Sequence, residues 1–132
     1  MADLNELASG SDDEIAGKLR DAGVEQVLDA VFAGMVDRFQ ADKASGVDAT
    51  VQWNITDDGA EHPYSVTVKD GAITTGRGGA ESPRVTLTTD AVSFAKLMAG
   101  KAVGPQLYMT GKLKINGDLM LAQRMTSFFA PA

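Results

Sequence analysis

Gly111-Lys112-Leu113-Lys114-Ile115-Asn116-Gly117-Asp118-Leu119-Met120-Leu121-Ala122 is the stretch that decides how this chain is read. Leu113 and Ile115 alternate with Lys112, Lys114 and Asn116, which predicts a short strand with one apolar face. The strand runs through Gly117 into a helix that Asp118 is placed to cap. That helix is too apolar for a surface position. Leu119, Met120, Leu121, Ala122, Met125, Phe128 and Phe129 cover more than the single stripe an amphipathic helix buries. A second face must therefore meet more protein, a partner chain or an apolar ligand.

Upstream, the periodicity changes twice. Residues 1–10 read as a loose acidic leader or a frayed helix, and Ser11-Asp12-Asp13-Glu14 has the form of a capping box opening a short helix through Ile15 and Leu19. Gly23 punctuates it. From about Val24 to Ala41, the positions Val24, Val27, Leu28, Val31, Phe32, Met35, Val36 and Phe39 keep helical spacing, with Gly34 inside. Val47, Ala49, Val51, Trp53 and Ile55 then alternate with polar residues, as on a half-buried strand. Asp57-Asp58-Gly59 reads as a turn, Tyr64, Val66 and Val68 as a second strand, Asp70-Gly71 as a tight hairpin, and 72–77 as a third strand. The loop Gly76-Arg77-Gly78-Gly79 leads to a fourth strand carrying Val85 and Leu87. A short helix follows, capped by Thr89 or Asp90, carrying Phe94, Leu97 and Met98 and ended by Gly100. Gly104-Pro105 opens a short turn with Gln106, Leu107, Tyr108 and Met109. The predicted order is that of a single α+β domain over residues 1–132, built on one mostly antiparallel sheet.

The chain has 132 residues and no cysteine, which excludes disulfides, a thiol nucleophile and cysteine-ligated metal. Its net charge of −6 argues against a duplex nucleic acid partner. The charge is uneven: residues 1–68 hold 14 acids and 4 bases, and residues 69–132 hold 4 acids and 8 bases. Two readings are open: two solvated faces of opposite sign, or a basic half that meets an anionic headgroup or membrane surface. The polar N-terminus and the absence of a spanning apolar run lead us to expect a cytoplasmic protein.

Reactive chemistry is not apparent. His62 is the sole histidine and reads as a surface residue. Asp57-Asp58-Gly59 lacks calcium-loop spacing, and Gly76-x-Gly78-Gly79 opens no long helix, so it is a poor phosphate cradle. Ser93 and Ser127 have no evident base. No cofactor or metal is expected, and a binding protein is favoured over an enzyme. Apolar residues cluster instead. Met98, Leu107, Met109, Leu119, Met120 and Phe128 fall around one turn and one oily helix, and methionine lines adaptable surfaces as well as filling gaps. A single sheet has one inner face, which the long helix bearing Met35 covers only in part. The remaining apolar surface suggests a cavity between the sheet and the C-terminal helices.

The run Gly111 to Ala122, preceded by Phe94-Ala-Lys-Leu-Met-Ala-Gly-Lys101 and Pro105-Gln106, closely resembles the sterol carrier protein type-two family. Val51 to Ile55, Asp70-Gly71 and Val85-Thr86-Leu87 fit the same pattern, so the resemblance covers roughly residues 24–129. It implies a five-stranded sheet with a crossover before the fourth strand, covered by helices and enclosing a hydrophobic tunnel. It implies a non-enzymatic lipid-binding and transfer protein for fatty acids, fatty acyl-CoA or sterol-like lipids. Gln106, Leu107 and Tyr108 should then lie near the tunnel, with Phe94 and Met98 before them and Leu119, Met120 and Gln123 as another wall; Met35 completes the candidate ligand-binding set. The acidic segment 1–20 lies outside the shared pattern. The absence of a Ser-Lys-Leu ending and the Ala-, Gly- and Asp-rich composition fit a bacterial stand-alone member. The expected partners are an apolar lipid and, transiently, anionic membranes, not nucleic acid. The alternative is an interaction module whose oily C-terminal helix docks on a partner protein.

Overall fold

The computed structural model describes residues 4–57 and 59–128; the side chains at 4, 5, 126 and 127 lie outside that description, as do Phe129 and the turn residue Asp58. A first short helix, α1 (Leu4–Leu7), precedes α2 (Asp12–Ala22) and α3 (Val24–Arg38). The strands are β1 (Ala49–Asp57), β2 (Ala60–Lys69), β3 (Ala72–Arg77), β4 (Val85–Asp90) and β5 (Leu113–Gly117). Between the last two lie α4 (Ala91–Met98) and α5 (Gly104–Met109), and α6 (Leu119–Arg124) follows β5. A 3-10 turn, Met125–Phe128, continues from α6.

The sheet order is β3-β2-β1-β4-β5. Every neighbouring pair is antiparallel except β1 and β4. The expected α+β class and mostly antiparallel five-stranded sheet are therefore present. Asp70 and Gly71 both take positive φ, 53° and 74°, as a two-residue hairpin matched to strand twist requires. The crossover is the segment from Gly78 to Arg84. It is tied to the sheet strand by strand: Gly78 N–H to the Pro63 carbonyl, Ala80 N–H to Gln52 Oε1, and Arg84 N–H to the Thr50 carbonyl. Those bonds deliver β4 alongside β1 in parallel.

Period-two alternation assigns the two faces of the sheet. Val51, Trp53, Ile55, Tyr64, Val66, Val85 and Leu87 face inward and are buried. Thr50 and Thr67 share a hydroxyl hydrogen bond of 3.1 Å on the outer face. The helices cover the inner face. Phe32 of α3 stacks on Tyr64 with ring centroids 4.3 Å apart and on Phe94 of α4 at 5.3 Å. Trp53 meets Phe94 edge-on at 5.2 Å.

Helix caps follow the sequence. Ser11 and Glu14 close the predicted capping box on α2, Asp90 caps α4, and Asp118 caps α6 by accepting from Leu121 N–H at 3.0 Å. Asp12 in the first turn of α2 binds Lys96 of α4 and Lys112 at the entry to β5. The hydrogen bond from Lys96 holds the Asp12 carboxyl below its ordinary pKa. The end of the long helix differs from the sequence reading. The long helix stops at Arg38 instead of Ala41, because Phe39 turns extended and Gln40 N–H bonds the carbonyl of Phe128. That tertiary bond joins the end of α3 to the C-terminal turn.

Candidate functional site

Trp53 of β1, Leu87 of β4 and Ile115 of β5 stand side by side across three strands. They form the floor of a cavity of about 510 Å³ on the inner face of the sheet. The last turn of α3 supplies Met35 and Arg38 to its wall, and the end of α4 supplies Leu97 and Met98. Tyr108 and Met109 of α5, Leu119 and Gln123 of α6, and Met125 close the remaining sides. The volume lies within the range of about 300–1,000 Å³ typical of small-molecule sites. Its lining is almost entirely apolar, and Arg38 is its single charged side chain. Arg38 is half-buried and makes no ion pair among the described residues.

Local sequence explains this geometry. Pro105 sits in the first turn of α5, where its missing N–H costs no helical bond. Thr110 ends the helix, its hydroxyl donating to the carbonyls of Gln106 and Leu107. The segment expected as a turn is thus a six-residue helix, with Leu107 buried against the core and Tyr108 and Met109 beside the cavity. Gly117 has φ of 115°, and a Cβ there would lie 2.5 Å from the Arg84 carbonyl oxygen. Only glycine permits β5 to close onto β4 and turn directly into α6.

Of the nine candidate residues, Met35, Met98, Tyr108, Leu119 and Gln123 line this cavity. The other four lie elsewhere. Phe94 is 1% exposed and belongs to the aromatic stack beneath α3. Leu107 is buried behind α5, Gln106 is exposed, and Met120 is 75% exposed on the outside of α6. The lining residues that were not among the candidates include Trp53 and Arg38. Trp53 reads in sequence as an inward strand residue, and Arg38 falls three residues after Met35 on the long helix; those positions, on a strand face and beside a helical stripe, are the signal that could have marked them.

Exposed apolar side chains gather at the same place. Val103, Tyr108, Met109, Leu119 and Met120 are all large and exposed, and Val36 is the one such residue elsewhere among those described. Tyr108, Met109 and Leu119 belong to both rim and lining, so cavity and exposed patch are continuous.

A second, polar concavity lies by α3, β2 and β3, among Glu25, His62, Tyr64 and Arg77. Its groups satisfy one another. Asp29 accepts from Tyr64 Oη at 2.6 Å and from Arg77 Nε at 2.8 Å, and Glu25 lies 3.6 Å from Arg77 and 3.7 Å from His62 Nδ1. The bond from Arg77, followed by that from Tyr64, lowers the Asp29 pKa to about 2. Burial, with the bond to Asp29, raises that of Tyr64. Half-buried His62 thus belongs to a polar latch. Among the described residues no group of three or more His, Asp or Glu side chains could hold a metal, and no helix is long and apolar enough to cross a membrane. Ser93 is buried at the start of α4, and the Ser127 side chain lies outside the described residues.

Apolar cavity, crossover sheet and C-terminal helices together define an α+β domain built around a small-molecule-sized cavity. The chain belongs to the SCP-2 sterol transfer family, which it matches over residues 28–130. It is 31% identical over 99 residues to the oleate-induced peroxisomal protein POX18 of Candida maltosa, covering 73% of this chain and 78% of that one. Its fold superposes on sterol carrier protein 2 like 2 of Aedes aegypti with a TM-score of 0.64 at 21% identity, covering 79% of this chain and 94% of the other. It also superposes on the stereoselective inverting sec-alkylsulfatase Pisa1 of a Pseudomonas species, with a TM-score of 0.69 at 20% identity. There the match covers 76% of this chain but 16% of the sulfatase. Helices α1 and α2 precede the segment matched by the family.

Proposed function

We propose that this protein is a non-enzymatic carrier of a single-chain anionic lipid, a fatty acid or the acyl chain of a fatty acyl-CoA. The observation that supports this reading best is an apolar cavity of about 510 Å³ with one cation, Arg38, in its wall. Burying about 14 methylenes at roughly 0.8 kcal/mol each yields about 11 kcal/mol gross. Lost translational and conformational freedom takes back several kcal/mol, and the remainder corresponds to roughly micromolar affinity. Such an affinity suits a carrier that must also release its load. In the proposal Met35, Met98, Tyr108, Leu119 and Gln123 contact the chain, and Arg38 meets the carboxylate or phosphate. Phe94 supports the wall from behind, Gln106 and Leu107 position Tyr108, and Met120 extends the rim outside.

Delivery in this reading uses the exposed rim. An apolar rim continuous with the cavity lets a chain pass into a bilayer without crossing water. Lys101, exposed between α4 and α5, adds a cation there. Transfer of a labelled fatty acid to anionic vesicles should slow with added salt and with Lys101→Glu, and transfer to neutral vesicles should not. We place the carrier in the cytoplasm as part of the same proposal; cell fractionation tests that placement.

The exposed Met109, Leu119 and Met120 also favour a second reading, in which α5 and α6 dock on a partner protein. Calorimetric titration separates the two. The carrier binds palmitate at one site per chain, about tenfold tighter than hexadecanol, and Arg38→Met removes that preference. A folded protein that binds neither ligand leaves the docking module as the surviving reading.

A further inference from the structure

On the side toward β2 the cavity stops at Met35 of α3, Trp53 of β1 and Leu97 of α4. Each of the three has an aromatic ring as its next neighbour on the same face. Phe32 lies three residues before Met35 and Phe94 three before Leu97, the spacing that puts side chains on one side of a helix. Tyr64 stands opposite Trp53 on β2, and cross-strand partners share a face of the sheet. These rings meet one another. Phe32 lies on Tyr64 with 4.3 Å between centroids and 7° between planes. It stacks on Phe94 at 5.3 Å and 17°, and Phe94 reaches Trp53 at 5.2 Å. Phe32 and Tyr64 are each 2% exposed and Phe94 1%. The group is also held from outside. The Tyr64 hydroxyl donates to Asp29, and Asp90 caps α4 by accepting from the N–H of Ser93, the residue before Phe94. The inner end of the cavity thus has two layers. Met35 and Leu97 in the first are flexible side chains that can fold back under a ligand. The stacked rings behind them have few torsions and close-packed surroundings, so they do not yield.

We propose that Phe94 is the positioning residue that fixes the inner end of this cavity, and with it the length of acyl chain the protein buries. The inference rests on the carrier reading above and refines it by naming what limits the chain. Phe94 is suited to the role because it joins the two layers, touching Trp53 in the lining and Phe32 in the ring stack. Each methylene that fits inside the stop leaves water completely. Each one beyond it remains at the exposed rim and contributes little. Affinity is therefore expected to climb by about fourfold per methylene up to a limiting length and to flatten past it. Shortening the Phe94 side chain lets Met35, Leu97 and Trp53 settle back, and the limit moves to longer chains.

The test is displacement of a fluorescent fatty acid by saturated fatty acids from decanoate to tetracosanoate. The wild-type protein should show a break in the slope of affinity against chain length. In Phe94→Ala the break should move out by about two to four carbons, less than the ring would allow because the site partly collapses. Phe94→Leu, a smaller change for the fold, should move it by about one carbon. Ile73→Ala, a comparable truncation on β3, should weaken the fold and leave the break where it is. A wild-type series with no break overturns the assignment and leaves the carrier reading standing. So does a break that stays at the same length in Phe94→Leu and in folded Phe94→Ala, or one that moves as far in Ile73→Ala. If Phe94→Ala does not fold, the position of the break in Phe94→Leu decides. Failure of every chain to bind the folded wild-type protein overturns both.

Discussion

Over β2 and β3, α3 lays Phe32 flat on Tyr64 and ties Asp29 to Tyr64 and Arg77, so aromatic packing and an ionic latch hold one end of the sheet shut. Over β4 and β5, the same sheet is faced by methionines and leucines of α4, α5 and α6 and remains hollow over about 510 Å³. The first region uses stiff rings with satisfied polar tips. The second uses flexible side chains and leaves apolar surface in view. A close-packed interior transmits strain and resists change of volume. A methionine-lined one can adapt to what enters. The packed end of the sheet acts as a frame that lets the other end stay open, and Trp53 stands at the border, in contact with Phe94 and among the residues that line the cavity.

The largest effect tests that contrast outright. Phe32→Ala should lower stability by about 3–5 kcal/mol, the usual cost of removing a buried phenylalanine. Met98→Ala, at the cavity, should cost about 1 kcal/mol. Urea unfolding of both variants measures the difference, and equal losses would mean that the second region is as tightly packed as the first. Gly117→Ala should come next. Its φ of 115° and the 2.5 Å approach to Arg84 predict a loss above about 1 kcal/mol together with looser pairing of β5. Hydrogen exchange should localise that loss to β5 and α6, leaving β2 and β3 protected. The smallest effect concerns the latch. The Asp29 carboxyl has a folded pKa of about 2 against 3.8 in the open chain. Its contribution is fully present above the unfolded value and is lost as pH falls through the folded one. Asp29 is partly exposed, so the gain is modest. Asp29→Asn should be less stable than wild type at pH 6, with the gap closing between pH 4 and 2. A gap that stays constant over that window would remove the latch from the account.

The parts of this fold that depend on neighbours in sequence were legible in it. Alternation marked the strands apart from β3, Asp70-Gly71 the hairpin that leads into β3, and Ser11, Asp118 and the pair Thr89-Asp90 the caps, of which Asp90 is the one used. The parts that depend on distant contacts were not. The end of α3 was misjudged because Gln40 is claimed by Phe128, a contact far away in sequence and invisible to periodicity. The run Leu119-Met120-Leu121-Ala122 has no polar position to set its phase. Its pattern therefore gave no way to know that Leu121 is buried while Met120 stays 75% exposed. Gly34 inside α3 leaves open space, since an added Cβ there would meet nothing within 4 Å. The cavity was legible as an apolar excess, but Arg38 and Trp53 in its lining were not. Arg38 ends a helix and Trp53 alternates on a strand, and each is ordinary in its own local pattern.

The central claim is that the hollow end of the sheet is a binding site. The sole tryptophan lines it, so titration of the purified protein with palmitate, followed through Trp53 emission, tests that claim most directly. The account predicts a change that saturates at one palmitate per chain with roughly micromolar affinity. Emission that stays unchanged through excess palmitate, with circular dichroism showing the fold intact and calorimetry showing no heat of binding, would contradict it.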